Sequence, residues 1–65
     1  MMWLTDTLNK HKVAINPTYV VAVFRIPENT QTQTEYIGKT AINLTTGTII
    51  VDESEFDVVG MMKAV

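Results

Sequence analysis

Tyr19-Val20-Val21-Ala22-Val23-Phe24-Arg25-Ile26 is the stretch that decides the fold. Its hydrophobic period is two, with Val20, Ala22, Phe24 and Ile26 facing one way and Tyr19, Val21, Val23 and Arg25 the other, so it reads as a β-strand. Both faces are largely apolar. A strand apolar on both sides is covered on both sides, and in a single small sheet the second cover is another subunit.

Working toward the N-terminus, Asn16-Pro17 separates this strand from Lys12 to Asn16, because proline lacks the ladder donor and restricts the residue before it. Asn9-Lys10 supplies a turn before that segment, and Met2 to Leu8 forms the first strand of the hairpin. Met2, Leu4 and Leu8 share one of its faces and Trp3, Thr5 and Thr7 the other, with Asp6 interrupting the apolar face and marking a frayed or bulged position. Toward the C-terminus, Pro27-Glu28-Asn29-Thr30-Gln31-Thr32-Gln33-Thr34 is polar, low in complexity, and reads as a mobile hairpin loop. Glu35 to Leu44 resumes the alternation, with Tyr36 at one end and Thr40, Ile42 and Leu44 continuing its face. Thr45-Thr46-Gly47 is a tight turn with glycine available for positive φ, and Thr48 to Val51 closes the sheet.

The period then changes. Asp52 or Ser54 can cap a helix, Ser54 and Asp57 resemble a capping box, and Phe56, Val59 and Met62 fall on one helical face. Glu53, Glu55 and Asp57 suit the positive end of the helix dipole and Lys63 the other, while Gly60 weakens a helix of about ten residues. The expected fold is a single α+β domain spanning residues 1–65: a small, mostly antiparallel sheet of about five strands with one C-terminal helix.

Composition supports the strand content and limits the function. Eight valines, six isoleucines and ten threonines make 24 of the 65 residues β-branched. A chain this short balances burial against ordering entropy near zero, and small domains close the gap with disulfides, a metal or oligomerisation. There is no cysteine and one histidine, His11, while 46% of residues are hydrophobic, so a homo-oligomer is expected. The formal charge of -2, without a basic tract, argues against general nucleic-acid binding. The longest apolar run, Val20 to Phe24, is far short of the roughly 20 residues a membrane span needs, and the first residues lack the layout of a secretory signal. A soluble, cytoplasmic protein is expected.

Catalytic constellations are sparse. His11 sits in a turn between Lys10 and Lys12 and reads as a solvated histidine. Four of the seven acids lie between Asp52 and Asp57, where capping accounts for them, and they lack the glycine-punctuated spacing of a calcium loop. Gly38-Lys39-Thr40 echoes the end of a phosphate-binding loop, but the upstream glycine is missing and the segment falls within a strand, so the match is chance. No enzyme, metal or cofactor is expected. What remains suits non-covalent recognition: Tyr19 and Tyr36 offer flat surfaces, Arg25 and Lys39 offer charge for an anion, and Asn16 and Thr18 add donors and acceptors. These six are the candidate ligand-binding residues. A monomer this small cannot enclose a pocket and keep a core, so a ligand site belongs between subunits.

Leu4-Thr5…Leu8-Asn9, Val13-Ala14-Ile15-Asn16-Pro17…Val20, Ile42-Asn43-Leu44-Thr45-Thr46-Gly47 and Val51-Asp52-Glu53-Ser54…Val58-Val59 together resemble the small FlbD-like proteins associated with flagellar genes. The resemblance spans most of the chain and implies this scaffold with a regulatory, protein-binding role. Two features depart from it: Lys10-His11 follows Asn9 where that family has glycine, and the polar loop replaces a short central turn. The overall profile is also similar to tiny phage-encoded sponge proteins that sequester cyclic nucleotide immune signals. That similarity implies a small nucleotide ligand held at subunit interfaces, with no chemistry performed on it.

Overall fold

The computed structural model describes residues 1–28 and 34–64. Among the described residues five strands and one α-helix run in the order β1 (Met2–Thr5), β2 (Lys12–Ile15), β3 (Val20–Arg25), β4 (Thr40–Leu44), β5 (Gly47–Val51) and α1 (Glu55–Lys63). The fold is α+β and all strand pairing is antiparallel. The strands form two sheets where one was expected: a β1-β2 hairpin, and a three-stranded sheet in the order β3-β4-β5.

The division falls at Asp6. There the chain still pairs across the hairpin, the Asp6 N–H donating to the His11 carbonyl at 2.9 Å, makes one bridge to Val51, and enters a turn in which the Asp6 carboxylate accepts the N–H groups of Leu8 and Asn9 at 2.8 and 3.2 Å. Lys10 closes the turn at φ 61°, donating its N–H to the Asp6 carbonyl. The first strand thus ends at Thr5, and the expectation that Leu8 joins Met2 and Leu4 inside is corrected: Leu8 is exposed while Thr7 is buried. Thr7 N–H to Ile50 C=O and Asp52 N–H to Thr5 C=O, both 2.9 Å, tie the hairpin to the end of β5.

Registers decide which residues are core. In the larger sheet Val23, Ile42 and Ile49 form one cross-strand row, and Thr40 and Val51 a second on the same face. Met2, Leu4, Ile15, Ile42, Val51 and Val58 make the buried cluster, with Val20, Val23, Leu44 and Met62 packed on its margin. A bulge between Val20 and Ala22 shifts the expected alternation of β3, so that Val20 and Val23 both reach the core. Ala22 and Phe24, with the bulged Val21, lie exposed. Apolar character on both sides of this strand therefore stands, but the bulge redistributes it.

The strand expected from Glu35 begins only at Thr40. Thr34–Tyr36 is a single 3-10 turn, and Gly38 at φ 80° carries the chain on to Lys39. Gly38 N–H to Ile26 C=O and Ile26 N–H to Lys39 C=O hold this turn against the end of β3. Gly38-Lys39-Thr40 consequently spans a turn and a strand start. Within the expected mobile loop, residues 29–33 lie outside the described residues.

The helix begins as expected, with Ser54 Oγ accepting the Asp57 N–H at 3.1 Å. Its inward face differs from the expected Phe56, Val59 and Met62: Val58 is fully buried and Met62 partly, while Phe56 is 79% exposed. Spacing of four seats Val58 and Met62 over β3 and β1, and the weak amphipathicity of the sequence left that choice open.

Candidate functional site

The six candidate ligand-binding residues fall into two groups at opposite ends of β3. Asn16, Thr18 and Tyr19 form the first. Asn16 caps the single 3-10 turn Pro17–Tyr19, its side-chain oxygen accepting the Thr18 N–H at 3.0 Å and its carbonyl the Tyr19 N–H at 3.1 Å. Proline at the first position presets the turn, and the Tyr19 carbonyl accepts from Thr45 N–H, anchoring it to the β4-β5 connection. Beside it an open cleft of about 330 Å³ is lined by Met1, Ala14, Ile15, Tyr19, Leu44 and Thr45. With the capping oxygen of Asn16 engaged, its amide and the Tyr19 ring are the groups free to meet a ligand.

Arg25, Tyr36 and Lys39 form the second group. Arg25 stands opposite Thr40 in the ladder, with its guanidinium over Gly38, and the Tyr36 carbonyl accepts the Lys39 N–H at 3.0 Å. Lys39 is less available than its sequence position suggested, since its ammonium lies 3.4 Å from Asp52. About six residues of strand separate Tyr19 from Arg25, or roughly 20 Å at the usual rise. The cleft beside Tyr19 includes none of Arg25, Tyr36 or Lys39 in its lining.

A polar cluster outside the six candidates joins the hairpin to the start of the helix. Asp52 and Glu53 precede the Ser54 cap, so capping does not account for them. Asp52 accepts the Thr7 hydroxyl at 2.8 Å and pairs with Lys10 and Lys39. The Thr7 bond, against the opposing effect of burial and with help from both lysines, holds its carboxyl below the ordinary range. Glu53 accepts the Thr5 N–H at 2.8 Å and the Thr5 hydroxyl at 2.9 Å, with Lys12 at 3.7 Å. Burial pushes the Glu53 carboxyl upward, but the Thr5 N–H, its own N–H, the Thr5 hydroxyl and the Lys12 charge outweigh this and leave it lowered. Thr40 Oγ1 donates to the Glu53 carbonyl at 2.6 Å. The sequence signal was Thr5-x-Thr7 beside two acids lying just upstream of the cap.

Chemically, these groups can stack and can bind an anion. His11 lies in the exposed turn, and among the described residues no group of three His, Asp or Glu side chains is placed to hold a metal. Among them too, no helix is long and apolar enough to cross a membrane. Fold and geometry together define a small α+β protein whose six candidate ligand-binding residues lie in two groups at either end of β3. Comparison with family models, curated proteins and solved structures finds no match.

Proposed function

We propose that this is a non-enzymatic, cytoplasmic, homo-oligomeric binding protein that holds a small nucleotide at its subunit interfaces, as a phage-encoded sponge for cyclic nucleotide immune signals would. The observation carrying this reading is the split of Asn16, Thr18 and Tyr19 from Arg25, Tyr36 and Lys39 across the ends of β3. An aromatic ring with amide donors at one end and a guanidinium at the other are the two halves of a nucleotide site, one for the base and one for the phosphate. Each half is open in a single protomer. Isothermal titration of the protein with a panel of cyclic mono- and dinucleotides, followed by heating and chromatography, tests it: a bound ligand is released intact. Absence of binding across the panel, or recovery of a cleaved product, overturns it.

A second reading, an FlbD-like module that binds another protein, is supported by one observation. The residue after Asn9, where the FlbD-like pattern has glycine, is Lys10 in the left-handed conformation that glycine adopts without strain. This reading expects a stable complex with a flagellar component and indifference to nucleotides.

A further inference from the structure

We infer that a second copy of this chain docks on the open edge of β3, in antiparallel register about a two-fold axis at Val23, and thereby joins the two recognition groups. This builds on the proposed interface site for what the joined groups hold, whereas the assembly itself is measured without ligand.

The edge is available. Among the described residues no strand pairs with the side of β3 facing away from β4. Ile26 directs its N–H and C=O toward the β4 side, to Lys39 and Gly38, so by alternation Phe24 does the same. Val23 and Arg25 then turn their N–H and C=O to the open edge. The bulge is confined to the Val21 end, which leaves Ala22 to Arg25 regular for pairing. Alongside runs an open groove of about 470 Å³ lined by Val20, Val21, Val23, Val59, Met62 and Lys63.

Three features select a second copy as the occupant. First, an antiparallel strand pair satisfies its own two-fold symmetry, so one edge suffices for both partners. Second, with Val23 opposite the partner's Val23, Ala22 stands opposite the partner's Phe24 on the outer face, a small residue against a large one, and the same pair recurs across the axis. Third, the area fits a small interface. Val21, Phe24 and Val59, which flank the edge, are 69%, 43% and 38% exposed. With an aromatic area of about 150–250 Å² and smaller ones for valine, they present roughly 250 Å² of apolar surface per protomer. A little over half of an interface is apolar, so this set corresponds to about 450 Å² per partner, the lower end of specific interfaces.

The functional consequence follows from the register. The antiparallel register sets the Arg25 end of one β3 beside the bulged Val21 end of the partner's, the end into which the turn carrying Tyr19 leads, so the two groups meet across the axis instead of lying roughly 20 Å apart within one chain. The two-fold axis makes two equivalent junctions in the dimer, each with the Arg25 end of β3 from one protomer and the turn carrying Tyr19 from the other.

The chain has no cysteine, which permits a direct test of register. Residues opposite each other at a non-hydrogen-bonded antiparallel position have Cα atoms about 4.5 Å apart, within disulfide range. The double variant A22C/F24C, oxidised without ligand, should give a covalent dimer whose peptide map links position 22 to position 24 of the partner. Wild-type protein should sediment as a dimer at about 50 μM, and A22R should weaken association at least tenfold while retaining the wild-type circular dichroism spectrum. A well-folded wild-type monomer up to about 500 μM, or a dimer cross-linked through other positions, overturns the inference. A dimer in this register that binds none of the nucleotides leaves the interface standing and removes only the ligand reading.

Discussion

Replacing Glu53 with alanine tests the joint between hairpin and helix. In the native chain this carboxylate, with its side chain 18% exposed, holds both the N–H and the hydroxyl of Thr5 at the end of β1. A hydrogen bond to a charged group contributes about 1.5–3 kcal/mol, and sharing one partner residue in a partly hydrated position brings the pair to about 2–3 kcal/mol in total. Glu53→Gln keeps a carbonyl oxygen for the Thr5 N–H and loses the charge, for a cost of about 1 kcal/mol. At about 4–8 °C per kcal/mol for a domain of this size, E53A should melt roughly 10–20 °C lower and E53Q about 5 °C lower. Circular dichroism melts and urea titrations at one fixed protomer concentration measure both, since assembly makes the midpoint depend on concentration. The double variant T5V/E53A should be little worse than E53A alone, because both remove the same hydroxyl contact. If E53A lies within about 0.5 kcal/mol of wild type, or E53Q is as damaging as E53A, the joint does not act through these bonds.

Acid should unfold the protein through the same cluster. Asp52 and Glu53 are both lowered in the folded state, so the unfolded chain binds more protons as pH falls. Their contribution is full above the ordinary carboxylate range of about 4–4.5 and is lost as pH drops through the lower folded values, which a pH series of urea midpoints will show and E53Q will flatten. Gly60 lies in the exposed helix interior with open space where a Cβ would sit, so Gly60→Ala should stabilise by about 0.5–1 kcal/mol in the same assay. Leu4 is fully buried, and Leu4→Ala should cost about 2–5 kcal/mol, which in a domain this small abolishes the cooperative melt.

The sequence made the elements legible wherever local rules and packing agree. The β2 stop at Asn16-Pro17, the tight Thr45-Thr46 turn and the Ser54 cap follow from residue chemistry alone. Three features escaped because tertiary geometry sets them. A bulge at Val21 is invisible to a period of two, so the partition of β3 between core and surface was misread. Asp6 interrupts the apolar alternation, but that its carboxylate organises the turn that sends Leu8 outward is set by the fold. On the helix, spacings of three and four compete, and the contact with β1 and β3 chose Val58 over Phe56 and Val59. The candidate site was legible as a list of residues, but its division into two groups required the fold. The partners of Glu53 and Asp52, Thr5 and Thr7, lie more than forty residues away, beyond the reach of local capping rules.

Native mass spectrometry across protomer concentration, before and after addition of a cyclic nucleotide panel, addresses the central claim most directly. The shared β3 edge predicts a dimer as the principal species without ligand, and ligand appearing only on the dimer, at up to two copies. A folded monomer that persists at high concentration, or that takes up ligand by itself, contradicts it.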